Sequence, residues 1–263
     1  MRDELLAWYA RAGRDLPWRR TRDPWAILVS EVMLQQTQVA RVIPFWRSFL
    51  ERFPDPAACA EASTAELLAA WSGLGYNRRA LRLREAARHV AAHGWPDDLA
   101  TLPGVGPYTA AAVASFAFGR DVAAIDTNVR RVLERYDGER RTPRALERRA
   151  AELLPPGRAA EFNHALMDLG ATVCTARRPR CDACPLSGCR SRGRPRGGGP
   201  ARRRERVPFE RTDRYVRGRL VAHLATGAPL PADIEPERLE RAAAALEREG
   251  VVVRRGGELR LAD

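Results

Sequence analysis

Hydrophobic and polar positions repeat at helical spacing through the first two-thirds of the chain. Apolar residues recur in this way over 26–36 and 39–50, and the second run contains Pro44. Period-two alternation, which is typical of strands, is nearly absent before residue 250. The pattern therefore predicts an all-α fold for this part of the chain. Capping signals and amphipathic patterns predict further helices over 63–71, 78–92, 107–118, 128–136, 144–154 and 160–169.

The pattern changes towards the C-terminus, where eight arginines and three successive glycines lie within residues 190–206. This composition predicts a basic flexible linker over 190–212. Two helical segments at 213–226 and 236–249 follow, and then a strand, a Gly-Gly turn and a second strand. These elements predict a small α+β module of winged-helix type over 213–263.

The chain is strongly basic, because 45 basic and 33 acidic residues leave a formal net charge of +12 on 263 residues. Such an excess favours a polyanionic partner, most often nucleic acid, over the alternative of a merely soluble basic surface. All 45 basic residues are arginine. Mechanisms that need a lysine amine to form a Schiff base are therefore excluded.

No apolar stretch approaches the roughly 20 residues of a membrane-spanning helix. The N-terminal residues also lack the basic, apolar and small-residue order of a signal peptide. We therefore expect a cytoplasmic protein, associated with the nucleoid of a bacterial cell. We further expect it to be a monomer without a membrane partner.

Four of the five cysteines lie close together near the end of the helical part. Clustered thiols in a reducing compartment favour a metal or cluster site over disulfides. Four soft thiolates can bind tetrahedral zinc or a cubane iron–sulfur cluster, and the spacing alone leaves both open. The candidate ligands are Cys174, Cys181, Cys184 and Cys189.

A glycine-rich turn precedes the helix predicted over 107–118. Gly104 and Gly106, on either side of Val105, allow a tight turn that leaves bare backbone amides at the start of a helix. Such amides can bind a phosphate, although a plain helix–turn–helix corner uses the same residues. The basic charge of the chain favours the phosphate.

Two acidic residues stand in unusual settings. Glu31 lies inside the apolar segment 27–34, where a solvated helix face is the alternative to a functional carboxyl group. Asp126 follows an apolar run and precedes a predicted helix, where a helix cap is the alternative. Neither residue alone indicates a function.

Several motifs together resemble one family. Residues 102–119 (LPGVGPYTAAAVASFAFG), followed by Asp126, are similar to the helix–hairpin–helix DNA glycosylases with a Gly-Pro-Asp loop, and the four-cysteine segment is similar to their 4Fe–4S loop. Residues 16–19 (LPWR), 30–39 (SEVMLQQTQV) and 71–76 (WSGLGY) resemble the MutY-type adenine DNA glycosylases within that family.

The resemblance covers about residues 5–189 and implies two helical subdomains. An iron–sulfur cluster subdomain is expected over 1–22 and 127–189, and a helical subdomain with the helix–hairpin–helix over 23–126. The implied activity is base excision repair on double-stranded DNA. The enzyme would flip out an adenine that is mispaired with 8-oxoguanine or guanine and remove it by hydrolysis.

The resemblance assigns roles to four catalytic candidates. Glu31 is expected to protonate the flipped adenine as a general acid, which requires burial to raise its pKa. Asp126 is expected to stay ionised and stabilise the positive charge that develops on the sugar, and Asn128 to help hold that arrangement. Tyr108 occupies the position where lyase members such as endonuclease III carry a nucleophilic lysine. The implied enzyme is therefore monofunctional.

The resemblance also implies contacts with DNA and with a 4Fe–4S cluster. Gln36 and Tyr76 are expected to wedge into the base stack where the adenine leaves it. The other candidates are expected to line the adenine pocket (Arg14, Trp18 and Arg19), to bind phosphate through backbone amides (Gly104, Val105 and Gly106) and to bind the cluster (Cys174, Cys181, Cys184 and Cys189).

Three features depart from the family pattern. The last cysteine interval is one residue shorter than usual, and Thr127 stands where glycine is commoner in the aspartate loop. The C-terminal module does not resemble the Nudix-like domain with which typical members read 8-oxoguanine. Two alternatives therefore stay open, namely a thymine/uracil mismatch glycosylase of the same fold and a non-enzymatic DNA-binding regulator.

Overall fold

The computed structural model of the protein describes residues 1–193 and 207–262. These residues are mostly helical, with one two-stranded sheet near the C-terminus, and none of their helices is both long and apolar enough to cross a membrane. The helices are α1 (Arg2–Ala12), α2 (Pro24–Leu34), α3 (Val39–Arg52), α4 (Pro56–Glu61), α5 (Thr64–Trp71), α6 (Arg78–His93), α7 (Pro107–Phe116), α8 (Thr127–Asp137), α9 (Pro143–Leu153), α10 (Ala159–Thr172), α11 (Asp213–Thr226) and α12 (Pro236–Arg248). The strands are β1 (Val252–Arg255) and β2 (Glu258–Leu261).

The all-α prediction for the first two-thirds of the chain is confirmed. α3 continues through Pro44, and α5 begins with the expected capping box, in which Ser63 and Glu66 each accept a hydrogen bond from the other's backbone amide. Asn77 lies at the start of α6 but makes no capping hydrogen bond with its side chain. Its backbone is already helical (φ −54°, ψ −28°), whereas a capping residue needs extended geometry.

One predicted helix ends early, and two helices were not predicted from the sequence pattern. α7 ends at Phe116, before the predicted end at 118, because the Arg120 amide donates to Ala114 and Gly119 takes a left-handed φ of 65°. The sequence pattern did not predict α1 or α4. α1 buries only two leucines, and α4, with six residues, is too short to show a helical period.

The elements predicted for the C-terminal module are confirmed. α11 and α12 pack against each other, and β1 and β2 form an antiparallel hairpin in which Val252 pairs with Leu261. Gly256 and Gly257 form its turn with φ values of 60° and 85°, because a two-residue hairpin turn of this kind needs positive φ at both positions. Residues 194–206 of the predicted linker lie outside the described residues.

The chain forms two compact units. The first contains Met1–Ile27 and Val105–Arg203, and the second contains Leu28–Gly104 and Arg204–Asp263. The segment 105–126 therefore belongs to the first unit, whereas the sequence analysis placed it in the helical subdomain. The C-terminal module belongs to the second unit.

The first unit is organised around α10, which packs against α1, α7 and α8. The buried face of α10 carries Phe162 and Leu166. Asn163, also buried, donates to the Ser115 hydroxyl (3.0 Å) and accepts from the Ala124 amide (3.1 Å). A buried amide side chain that is paired in this way holds the segment before α8 against α7 and α10.

In the second unit, α6 packs against α4 and α5, and α3 and α11 pack against α5. Trp71 is fully buried at the end of α5 and meets Phe49 edge-on, with 5.8 Å between ring centroids. Buried Arg84 donates to the Thr64 hydroxyl at 3.0 Å, and that hydroxyl donates to the Ala262 carbonyl. These contacts fix the C-terminal module on α5.

His164 on α10 is expected to make the first unit sensitive to acid. Its ring stacks on Phe116 with 4.0 Å between centroids, and burial, followed by the charge of Arg19, lowers its pKa from 6.5 to about 3. As the pH falls, the His164 ring is therefore protonated in the unfolded chain before it is protonated in the folded protein. The free energy of unfolding should fall between about pH 6.5 and pH 3, by up to about 1.4 kcal/mol per pH unit.

Urea unfolding at a series of pH values tests this expectation. His164→Gln should reduce the acid slope of the unfolding free energy, whereas the exposed His93→Gln should leave it unchanged. An unaltered slope in His164→Gln would show that His164 does not cause the sensitivity.

Candidate active site and cysteine loop

Glu31 lies in α2, the most apolar of the described helices. It is only 5% exposed, and the preceding turn, from Trp25 to Ser30, is buried as well. The alternative of a solvated helix face is therefore wrong. A buried carboxyl group in apolar surroundings is the kind of group whose proton affinity a protein can tune for acid catalysis.

Asp126 occupies the N-cap of α8. Its Oδ1 accepts from the Val129 amide at 2.7 Å, and its Oδ2 accepts from Asn128 Nδ2 at 2.6 Å. The helix-cap interpretation is therefore confirmed, and it is compatible with a catalytic role. The two donors and the start of α8 hold the carboxylate in a fixed orientation.

Asn128 connects Asp126 to the rest of the first unit. Its Oδ1 accepts from Arg131 Nη2 at 2.7 Å, and the same nitrogen donates to the Gly170 carbonyl at 2.7 Å. A Cβ at Gly170 would lie 2.6 Å from the Asn128 Cβ, so α10 can approach this side chain only with glycine there. Arg131 Nε also donates to the Cys174 carbonyl at 2.8 Å, which joins this chain of contacts to the cysteine loop.

Asp168 is a buried acid that the sequence analysis did not single out. It is fully buried on α10, where Arg19 binds it through two hydrogen bonds of 2.8 Å and Arg14 donates through its amide (2.8 Å) and Nε (2.7 Å). Burial opposes its ionisation, but the hydrogen bonds and charge of Arg19 and then Arg14 lower the pKa of Asp168 overall. Both guanidinium groups predicted for the adenine pocket are thus oriented by one carboxylate.

Trp18 and Tyr108 also lie in the first unit. Trp18 is buried in a short 3-10 turn (Pro17–Arg19), and Tyr108 lies in the first turn of α7. The Tyr108 hydroxyl points at Met167 Sδ, 4.0 Å away and one residue before Asp168. Their roles stay predictions.

The glycine-rich turn has the geometry of an exposed amide corner. Gly104 has a φ of 75°, and a Cβ there would lie 2.7 Å from the Arg82 Cβ, so only glycine fits. Gly106 is exposed, with open space around its Cα, and Pro107 begins α7 directly after it. In the described part of the chain, the amides of Gly104, Val105 and Gly106 donate no backbone hydrogen bond. They are available to an anion at the start of α7.

Gln36 and Tyr76 share an unusual backbone conformation. Their φ values are 57° and 53°, and among the described residues they are the only non-glycine positions with positive φ. Both side chains are exposed. A left-handed conformation costs an L-residue about 1–2 kcal/mol, and such strain is concentrated at functional sites. The two residues expected to enter the DNA stack are thus both strained.

Arg79 holds the two loops that carry Gln36 and Tyr76. Its guanidinium lies 5.5 Å from the Trp71 ring centroid and 5.4 Å from that of Tyr76, and burial lowers its pKa to about 10, so it stays charged at neutral pH. Nothing in the Arg-rich segment 78–92 distinguishes it in the sequence. Its acceptors at the end of α2 and in the two loops are the carbonyls of Val32 (2.7 Å), Met33 (3.0 Å), Gln35 (2.6 Å) and Gly75 (3.0 Å) and the Thr37 hydroxyl (3.3 Å).

The four clustered cysteines line one small cavity of about 30 Å³, and all are free thiols. Arg135 closes one side of the cavity: Nη1 lies 3.4 Å from Cys174 Sγ, and its carbonyl lies 3.4 Å from Cys189 Sγ. Among the described residues, no group of three or more His, Cys, Asp or Glu side chains is arranged to hold a single metal ion. Four thiols and a nearby cation fit a negatively charged cluster.

Comparison with known proteins identifies the class. Residues 29–156 match the HhH-GPD superfamily of base excision DNA repair proteins, and residues 174–188 match the iron–sulfur binding domain of endonuclease III. Cys189 lies one residue beyond the second match. The fold and the cysteine loop therefore define a helix–hairpin–helix base excision repair protein with a 4Fe–4S cluster, as the sequence motifs predicted.

Similarity to individual relatives shows to which family within this class the chain belongs. The chain is 53% identical over 232 residues to an adenine DNA glycosylase of Mycobacterium tuberculosis. The matched region covers 82% of this chain and 76% of the relative. The chain thus belongs to the adenine DNA glycosylase family.

Two solved structures have the same fold. One is a thermostable thymine-DNA glycosylase, with a TM-score of 0.68 and 33% identity over 73% of this chain and 94% of that one. The other is endonuclease III trapped as a covalent intermediate with DNA, with a TM-score of 0.64 and 27% identity over 73% of this chain and 93% of that one.

Proposed function

We propose that the protein is a monofunctional DNA glycosylase that hydrolyses the glycosidic bond of adenine mispaired with 8-oxoguanine or guanine in double-stranded DNA. The observation that carries the proposal is the burial of Glu31 within an apolar helix. A DNA-binding regulator has no use for a buried acid there. The membership of the adenine DNA glycosylase family supports adenine as the base that is removed.

The two acids divide the chemistry between them. Glu31 donates a proton to the imidazole ring of the extruded adenine, which makes the base a better leaving group. As the bond to the sugar breaks, its electron pair leaves with adenine, and the ionised Asp126 stabilises the cationic sugar. Water then adds to C1′ of the sugar and releases a proton to the solvent, from which Glu31 is protonated again, and an abasic site is left. Asn128, held by Arg131, keeps the Asp126 carboxylate in place.

The absence of lysine from the sequence supports the monofunctional assignment. Strand cleavage by a lyase needs an amine that forms a Schiff base with the sugar. Tyr108 stands at the position of that amine in lyase members, and a phenol cannot form a Schiff base.

The remaining candidates are proposed to bind DNA. Gln36 and Tyr76 fill the gap in the base stack, and the amides of residues 104–106 bind a phosphate. Asp168 orients Arg14 and Arg19 beside Trp18 for the adenine pocket. The ligand set for the 4Fe–4S cluster is Cys174, Cys181, Cys184 and Cys189, and the bound cluster supplies a cross-link that shapes the loop containing Arg177, Arg178 and Arg180.

A panel of duplexes tests the proposal. Purified protein is incubated with duplexes that contain A opposite 8-oxoguanine, A opposite guanine, or T or U opposite guanine, and abasic sites are then cleaved with alkali. We expect strand breaks only after alkali and only in the adenine duplexes. Breaks without alkali would contradict the monofunctional assignment, and a lack of release from every duplex would favour the regulator.

A thymine/uracil mismatch glycosylase is the second candidate. The similarity in structure to a thymine-DNA glycosylase, at a TM-score of 0.68, favours it. The higher identity to an adenine DNA glycosylase favours adenine. Release of thymine or uracil, but not adenine, in the duplex panel would establish this alternative.

Arg79→Met is expected to slow excision by about 10–100-fold on a fully paired duplex, because the wedge loops lose the cation that holds them and unstacking costs a few kcal/mol. The loss should be much smaller for an adenine placed opposite an abasic site, where less stacking must be broken. Single-turnover rates on the two substrates measure this difference.

The matched control is Arg78→Met, which removes an exposed guanidinium from the neighbouring position of α6. It should behave like the wild type on both substrates. Equal losses on the two substrates for Arg79→Met would show a general loss of structure rather than a loss of base extrusion.

A further inference from the structure

The C-terminal module forms a groove with the loop that carries Tyr76. The groove lies within the second unit, has a volume of about 490 Å³ and runs between residues 72–77 and helix α11. We call it the Arg214 groove. Its principal lining side chains are Arg41, Asn77, Phe209, Arg214, Tyr215 and Arg219.

Arg214 brings the module into direct contact with the wedge loop. Its guanidinium lies 4.7 Å from the Tyr76 ring centroid, and a Cβ at Gly75 would lie 2.9 Å from Arg214 Nη2. The guanidinium groups of Arg79 and Arg214 thus both lie over the Tyr76 ring. The φ of 73° at Gly75 is a left-handed conformation that favours glycine.

The groove has a uniform charge and exposed aromatic surface. Three arginines and no acidic residue are among the described residues that line it. Phe209 is 55% exposed, and Tyr76, which contacts Arg214, is 43% exposed. Phe209 is held edge-on against Tyr215, with 5.6 Å between ring centroids, so its outer face is presented in a fixed orientation.

Arginines interleaved with exposed aromatic rings are the composition of surfaces that bind nucleic-acid strands. Guanidinium groups bind phosphates and stack on bases, and aromatic rings stack on bases of any sequence. Such residues are also common in protein interfaces. The contact of Arg214 with Tyr76 favours a nucleic-acid strand, because Tyr76 is proposed to enter the DNA and would bring the duplex next to the groove.

We propose that the Arg214 groove binds a nucleotide of the substrate DNA beside the point where Tyr76 enters the stack. Arg41, Arg214 and Arg219 contact its phosphate groups, and Phe209 provides a stacking surface for its base. This proposal rests on the proposed function and gives the C-terminal module a role in it. The module would lengthen the DNA-binding surface of the second unit and hold the wedge loop during extrusion.

Binding of a mispaired duplex, measured by fluorescence anisotropy over a range of salt concentrations, tests the proposal. Arg214→Gln should reduce the salt dependence by roughly one released counterion. Phe209→Ala should weaken binding by roughly five- to 100-fold with little change in salt dependence, since it removes stacking and not charge. The matched control is Arg241→Ala, which removes an exposed guanidinium from α12. It should change neither quantity.

A photo-crosslinking amino acid at position 209 provides a second readout that does not depend on affinity. It should crosslink to the mispaired duplex in the full-length protein. Wild-type affinity and salt dependence in Arg214→Gln and Phe209→Ala, together with no crosslink, would overturn the proposal and favour a protein partner. If the wild type excises adenine in that experiment, only the groove assignment fails. If it neither binds nor excises, the proposed function fails as well.

Discussion

Asp126→Asn is expected to slow excision of adenine by about 10³-fold or more, because the charge that stabilises the cationic sugar is removed from the reacting centre. The affinity for a mispaired duplex should stay within a few-fold of the wild type. Asparagine can still accept the hydrogen bond from the Val129 amide, so the start of α8 is preserved. Single-turnover excision and equilibrium binding measured side by side separate the two effects.

Asp55→Asn is the matched control, because Asp55 caps α4 through the Ala58 amide in the same way but is exposed. It should excise adenine at the wild-type rate. The contrary outcome is weak DNA binding or a loss of thermal stability in Asp126→Asn, with an excision rate that falls only in proportion to that loss. Such a result would show that Asp126 is only a structural cap.

Glu31→Gln is expected to slow excision by about 10²–10⁴-fold, the usual contribution of general acid–base catalysis. Glutamine has nearly the same shape as glutamic acid, so the packing of α2 around this buried position should survive. The loss should be equal on an adenine in a paired duplex and on one opposite an abasic site, since protonation follows extrusion. An equal loss of excision rate on the two substrates distinguishes Glu31→Gln from Arg79→Met.

Glu51→Gln, at an exposed position on α3, controls for the loss of one negative charge from the protein. Its rate should match that of the wild type. Activity of Glu31→Gln within a few-fold of the wild type would remove Glu31 from the mechanism.

Much of the fold follows from periodicity and end signals that are local in sequence. The capping box at Ser63, the helix start at Pro107 and the cap at Asp126 each depend on residues within one turn, and each appears where predicted. The helices that periodicity missed, α1 and α4, are short or weakly apolar. Local signals can be found in sequence because both partners of the interaction lie in the same short window.

The site residues that could not be predicted from the sequence are those whose roles depend on the folded chain, in most cases on residues distant in sequence. Asp168 stands in an apolar helix just as Glu31 does, but its meaning depends on Arg14 and Arg19, about 150 residues away. Arg79 is one of many arginines in α6, and only the folded chain shows that it caps two loops. The left-handed φ of Gln36 and Tyr76 is likewise invisible in sequence, because neither residue type favours it.

The central claim is that Glu31 and Asp126 act on the same extruded adenine. A crystal structure of the Asp126→Asn variant bound to a duplex with adenine opposite 8-oxoguanine tests it most directly. The account predicts an adenine outside the stack, with the Glu31 carboxyl group within hydrogen-bonding distance of its imidazole ring and the side chain at position 126 beside its sugar. An adenine still stacked in the duplex, or one bound away from either side chain, would contradict the account.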